Sequence, residues 1–188
     1  MNATPYSHLV DGLELPRPLS GHPALELCNT RAGWGEAEPK EYLRTPAHLL
    51  ALAKSLGLVR SGSPEPTEAV LGRALALRDA LYDVALDPRP GAAWDVVAAE
   101  AGRAAAAATL TPEGWRLPAT PELPLLAFAR AAGELLTSDH APLRRCPGGG
   151  CGWLFLDPRG RRRWCTMATC GNRAKVRAHA ARARATAR

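Results

Sequence analysis

Four of the five cysteines in this 188-residue chain fall within 25 residues, as two C-x4-C pairs: CPGGGC at 146–151 and CTMATC at 165–170. A pair this close can come from one tight turn. Gly148, Gly149 and Gly150 let the first turn form without Cβ clashes. Zinc takes four ligands in a tetrahedron and suits thiolates. Cys146, Cys151, Cys165 and Cys170 therefore predict one structural Zn2+, with an iron–sulfur cluster as the alternative. Four thiolates close the coordination shell and leave no place for a reactive water, which argues against metal catalysis. They also replace a core. A segment this small buries too little apolar surface to fold alone, so metal binding supplies its folding free energy.

A cytoplasmic location is expected from the lack of a secretory signal, and there thiols stay reduced and paired cysteines more often bind metal than form disulfides. The N-terminus has no basic stretch followed by an apolar one, so no secretory signal is expected. Apolar runs fall short of the roughly 18–20 residues of a membrane span, and no membrane association is expected. Cys28, the fifth cysteine, reads as a small buried hydrophobe.

Thirteen residues separate Cys151 from Cys165. Within them Trp153–Leu156 reads as a strand, Asp157–Gly160 as a turn and Arg161–Trp164 as a returning strand. A helix rich in Ala, Arg and Lys follows Gly171-Asn172, with Val176 and Ala180 expected to face the finger. Knuckle, hairpin and helix around one ion make a treble-clef-like zinc finger.

The preceding residues read as mainly helical. Residues 1–23 look irregular, and GHPALELCNT is too short to assign by period. Thr45-Pro46 and Thr67 open helices as caps, and Gly57 and DPRPG at 87–91 end them. Ala92 to about Ala104 and Pro121 to Thr137 are two further helices. Between them Pro112 and Gly114 turn a small hairpin from Thr109-Leu110 to Trp115–Leu117. The fold class expected is thus mainly α with a small β-hairpin. It comprises a helical domain over 1–142 and a zinc finger with a basic C-terminal helix over 143–188.

Charge divides at the same place. Residues 1–143 hold 12 Lys and Arg against 17 Asp and Glu, whereas residues 144–188 hold 12 against Asp157 alone. A body of charge −5 carries an end of charge +11. That asymmetry predicts a polyanion, foremost DNA. The candidate contacts are Arg159, Arg161, Arg162, Arg163, Arg173, Lys175 and Arg177. Arg173 has a second reading as a donor to the backbone or thiolates at the ion, and Asn172 as a turn or cap residue. Trp153 and Trp164 can cover the zinc site or stack on single-stranded bases.

Cys170-Gly171-Asn172-Arg173, preceded by Trp164-Cys165-x-Met167, resembles the CGNR zinc-finger family. Both cysteine pairs and the WLFLD strand are similar to it as well. The family's proposed zinc ligands correspond to Cys146, Cys151, Cys165 and Cys170. Its usual N-terminal partner is the ABATE domain of stress-induced transcription regulators. Leu25–Thr30 resembles an early stretch of that domain. The resemblance implies transcription regulation, with DNA binding through the finger and ligand sensing by the body.

No nucleophile–base arrangement or phosphate loop is present, so no enzyme activity is expected. His48, in the first turn of a helix, reads as a surface residue. Asn29, Arg31 and Trp34 are candidates for a small-molecule effector site, against the plainer reading of capping and core packing. A single small finger buries limited DNA surface, which favours a homodimer. A protein-interaction adaptor and an RNA-binding protein are the competing readings.

Overall fold

The computed structural model describes residues 6–186. The protein is mainly α, with small two-stranded sheets. The chain opens with a hairpin, β1 (Ser7–Val10) and β2 (Leu13–Pro16), in the stretch expected to be irregular. Residues 1–5 of that stretch lie outside the described residues. The ambiguous GHPALELCNT segment is a helix, α1 (Pro23–Cys28). Pro23 stands at its first turn, and His22 Nδ1 accepts the Ala24 N–H as the cap. A short hairpin, β3 (Arg31–Ala32) and β4 (Lys40–Glu41), follows.

Four longer helices build the body: α2 (Pro46–Ser55), α3 (Glu68–Leu86), α4 (Ala92–Ala107) and α5 (Leu123–Thr137). α5 is apolar around most of its circumference, and it packs against α1, α2, α3 and α4. Phe128, Leu125 and Ala132 on α5 are fully buried. The predicted hairpin between α4 and α5 is present, as β5 (Thr109–Thr111) and β6 (Gly114–Arg116).

Thr67 caps α3 as expected, its hydroxyl accepting the Val70 N–H. Thr45 stands at the N-cap of α2, but its hydroxyl meets His48 Nδ1 at 2.8 Å instead of a backbone N–H. That contact corrects the surface reading of His48. Its ring is buried beside Thr45, and burial pushes its pKa down.

Polar groups tie the helices together where apolar surface runs out. Arg78, buried on α3, donates to both carboxylate oxygens of Glu41 at 2.7 and 2.8 Å and so fastens β4. Arg73 grips Glu100 of α4 through two hydrogen bonds and also pairs with Glu122, just before α5. Cys28 is fully buried, its thiol donating to the Arg78 carbonyl, and burial pushes that thiol's pKa up.

Glu26 on α1 is a buried carboxylate. Its Oε1 accepts the N–H groups of Leu19 and Ser20 at 2.7 Å each, while Oε2 has no partner. Burial is the larger effect and pushes its pKa up, against the hydrogen bonds from Ser20 and Leu19. The folded pKa thus exceeds the unfolded one. Stability is fully present below the ordinary carboxylate range and falls as pH rises through the window up to the folded value. Glu26→Gln removes that loss. The variant is expected to exceed the wild type in stability at about pH 8 and to depend less on pH. Urea denaturation across a pH series checks this, and identical pH slopes would refute it.

Candidate metal centre

β7 (Leu143–Arg145) and β8 (Leu154–Leu156) form the hairpin of the C-terminal unit, and CPGGGC is its turn. Cys146 follows β7 and donates its N–H to Trp153 O at 2.8 Å. Cys151 donates its N–H back to Gly148 O at 2.9 Å. This corrects the expected pairing: the partner of β8 is β7, and residues 161–164 form no strand.

The reason is Asp157. Its carboxylate is 1% exposed and accepts the N–H groups of Arg161 and Arg162, each at 3.1 Å. A side chain thereby takes the donors that a returning strand would need. Arg162 then donates its guanidinium to Leu156 O, Leu19 O and Cys165 O and covers the Phe155 ring. Arg162, a candidate for nucleic acid, is thus engaged in holding the backbone of the finger.

Cys165 and Cys170 approach from the other side. Cys170 lies in a π-helical turn (Met167–Gly171), where Gly171 N–H reaches back to Thr166 O. The helix α6 (Asn172–Thr186) continues directly from it. The four Sγ atoms lie within 4.8 Å of one another and all four residues are buried. Sγ of Cys165 is 3.7 Å from that of Cys151 and 3.6 Å from that of Cys170. A tetrahedron with zinc–sulfur bonds of about 2.3 Å has edges of about 3.8 Å. The donor set, its spacing and its burial fit one structural zinc, held by Cys146, Cys151, Cys165 and Cys170.

The four thiols govern one another's ionisation. Hydrogen bonds from neighbouring thiols, that of Cys151 foremost, lower the pKa of Cys146 to about 6. Cys170 is lowered for the same reason, chiefly through Cys146. Cys151 and Cys165 are raised, each first by its hydrogen bond with Cys146, so the four do not ionise together. A dication removes that conflict and holds all four as thiolates. Two further donors reach sulfur: Cys165 N–H to Cys146 Sγ at 3.4 Å and Arg173 Nη2 to Cys170 Sγ at 3.3 Å. Such outer contacts orient the ligands and spread their charge. Arg173 therefore follows its second reading. Gly148 is required for space, since a Cβ there would stand 2.9 Å from Cys170 Sγ.

The finger is seated on the body. Asn29 is fully buried and pairs with β8 as a strand would: Nδ2 donates to Leu154 O and Oδ1 accepts Leu154 N–H, both at 2.9 Å. The Gly33 and Trp34 N–H groups both donate to Cys151 O, at 3.2 and 3.3 Å. Trp34 stacks on Tyr82 at 3.7 Å, and Tyr82 Oη donates to Gly152 O at 2.8 Å. Gly152 has φ +72°, and a Cβ there would meet Trp34 Cβ at 2.7 Å. Arg31 accepts the Trp153 indole N–H on its carbonyl at 3.0 Å and pairs with Asp79 through its guanidinium. The structure thus places Asn29, Arg31 and Trp34 at the junction between body and finger. No local signal announces that role, since Leu154 lies 125 positions from Asn29.

Arg159, Arg161, Arg163, Lys175 and Arg177 are exposed, and none has a carboxylate partner among the described residues. Trp153 is buried with the cysteines, and Trp164 is half-buried beneath Arg163. Val176 is 69% exposed and does not face the finger, a further correction. α6 extends beyond the cysteines with most of its surface in solvent.

A knuckle on a hairpin, with the second ligand pair leading into a helix, defines a treble-clef-like zinc-finger protein. Residues 143–183 match the CGNR zinc finger, and residues 21–139 match the ABATE family, described as "Putative stress-induced transcription regulator". The chain belongs to the ABATE family and carries a CGNR zinc finger. No curated protein matches it. Among the described residues no helix is long and apolar enough to cross a membrane.

Proposed function

We propose that this zinc-binding regulator acts in the cytoplasm by binding duplex DNA through its finger, without catalytic turnover, while its body senses a small molecule. One observation carries the DNA reading. Residues 158–188 contain no Asp or Glu, and Arg159, Arg161, Arg163, Lys175 and Arg177 have no carboxylate partner among the described residues. A phosphate backbone supplies them with negative charge and releases its own counterions on binding. α6 is 15 residues long, or about 22 Å, and a bare helix of this width fits the major groove. Arg177 lies one turn beyond Arg173, which is anchored at the metal, so zinc fixes the helix that would enter the groove. The buried state of Trp153 takes support from the RNA reading, because that ring has no free face for a base.

The test is a titration of zinc-loaded protein against duplex DNA from upstream of its own gene, with scrambled duplex, at several salt concentrations. Reversal of Arg159, Arg161 and Arg163 to Glu is expected to weaken binding and flatten the salt dependence by about 0.9 in log–log slope per lost phosphate contact. Arg162 is left intact because it holds backbone carbonyls. An unchanged slope would refute the assigned surface. Absence of salt-sensitive binding in the wild type would refute the DNA reading and favour the adaptor.

A further inference from the structure

The body holds a groove of about 740 Å3 with no cysteine in its lining. Its walls are the start of α1, the α2–α3 loop, β6 and α5. Leu58, Leu117, Leu123 and Ala127 supply apolar lining. Trp115 stands on the rim, 57% exposed, directly across the hairpin from Leu110, which is 65% exposed. Two large apolar side chains side by side in water are an unusual expense for a two-stranded hairpin unless something covers them. The volume suits a small organic ligand.

The charges of the lining do not cancel. Glu113 is paired with Arg116 at 3.4 Å and Glu134 with Arg130 at 2.8 Å. Arg60 also lines the groove and has no carboxylate partner among the described residues. His22 adds a neutral donor. Its Nδ1 accepts the Ala24 N–H at 3.3 Å, which leaves the ring proton on Nε2, and burial pushes its pKa down. The one unmatched charge of the groove is therefore positive.

We infer that this groove binds an apolar organic monoanion of the aryl carboxylate class, its ring against Trp115 and the α5 side chains and its carboxylate on Arg60. The inference deepens the sensing half of the function proposed above, but the site itself does not require DNA binding. It also has a short route to the finger. His22 caps α1 at the groove, and Asn29, which grips β8, caps the other end of this six-residue helix. Ser20 donates its hydroxyl to His22 O at 2.9 Å and accepts Leu156 N–H on its own carbonyl at 2.8 Å. A ligand pressing on His22 is one residue pair away from the finger strand.

The experiment is calorimetric titration of the zinc-loaded chain with 2-naphthoate, beside the cation 2-naphthylmethylammonium. Arg60 and Trp115 are both exposed, so Arg60→Gln and Trp115→Ala are expected to keep the wild-type melting temperature. Saturable one-site binding of naphthoate is expected, about tenfold weaker or more in each variant, with the cation weaker still. No saturable binding, equal affinity in Arg60→Gln, or equal binding of the cation would each overturn the site. A chain that takes naphthoate but no DNA would uphold the site and refute only the DNA reading.

Discussion

Chelation of the zinc is expected to unfold residues 143–171 and to loosen the body with them. The cluster around the metal has a small apolar complement: Trp153, Phe155 and Tyr42, with the cysteines themselves. Without a dication, crowded thiols oppose one another's ionisation and no longer draw the two segments together. Zinc contributes on the order of 10 kcal/mol to folding in isolated fingers. The body loses partners at the same moment. Asn29, Gly33, Trp34 and Tyr82 all spend hydrogen bonds on residues 151–154. A fall in melting temperature of about 10 °C or more is expected, from a loss of several kcal/mol in a chain of this size. Cys165→Ser should reproduce it in the presence of zinc. Calorimetry measures the transition, and hydrogen exchange should show Gly33 and Trp34 losing protection along with Leu154. Body amides that stay protected after chelation would show two independent folding units and refute the coupling.

Asn29→Ala is expected to cost about 2–5 kcal/mol although it removes no charge and little apolar surface. Both its amide groups serve β8, and the site is closed to water. Alanine leaves a buried carbonyl and a buried N–H of Leu154 without partners, each a penalty of about 1–3 kcal/mol. Asn29→Asp should not rescue the loss, since it keeps the acceptor but sets a carboxylate against the Leu154 carbonyl. Urea denaturation of zinc-loaded variants checks this. A cost below about 1 kcal/mol would mean that the backbone relaxes to pair Leu154 elsewhere.

The metal site was legible because its information is local. Two C-x4-C pairs, a glycine-rich turn and a cysteine-poor chain suffice to select four ligands. The Thr67 cap and the 109–116 hairpin were legible for the same reason, since cap and turn chemistry act within a few residues. The failures have one cause in common. β8 could pair forwards or backwards by pattern alone, and the choice fell to Asp157, whose carboxylate occupies the forward donors. Arg162 looked like any other surface arginine until three carbonyls from separate segments converged on it. His48 sat at a helix start that a sequence places in solvent, and packing buried it.

The residue order by itself determined the zinc ligands, the helical class of the body and the division into acidic body and basic end, because spacing, period and charge are properties of the chain. Only the tertiary structure decided how the two parts are joined. Hydrogen bonds between residues more than a hundred positions apart leave no trace in local pattern, so the role of Asn29 as a stand-in strand emerged when β8 was set beside it. The groove at Trp115 and Arg60 came the same way, from a hairpin, a loop and a helix that meet only in the folded chain.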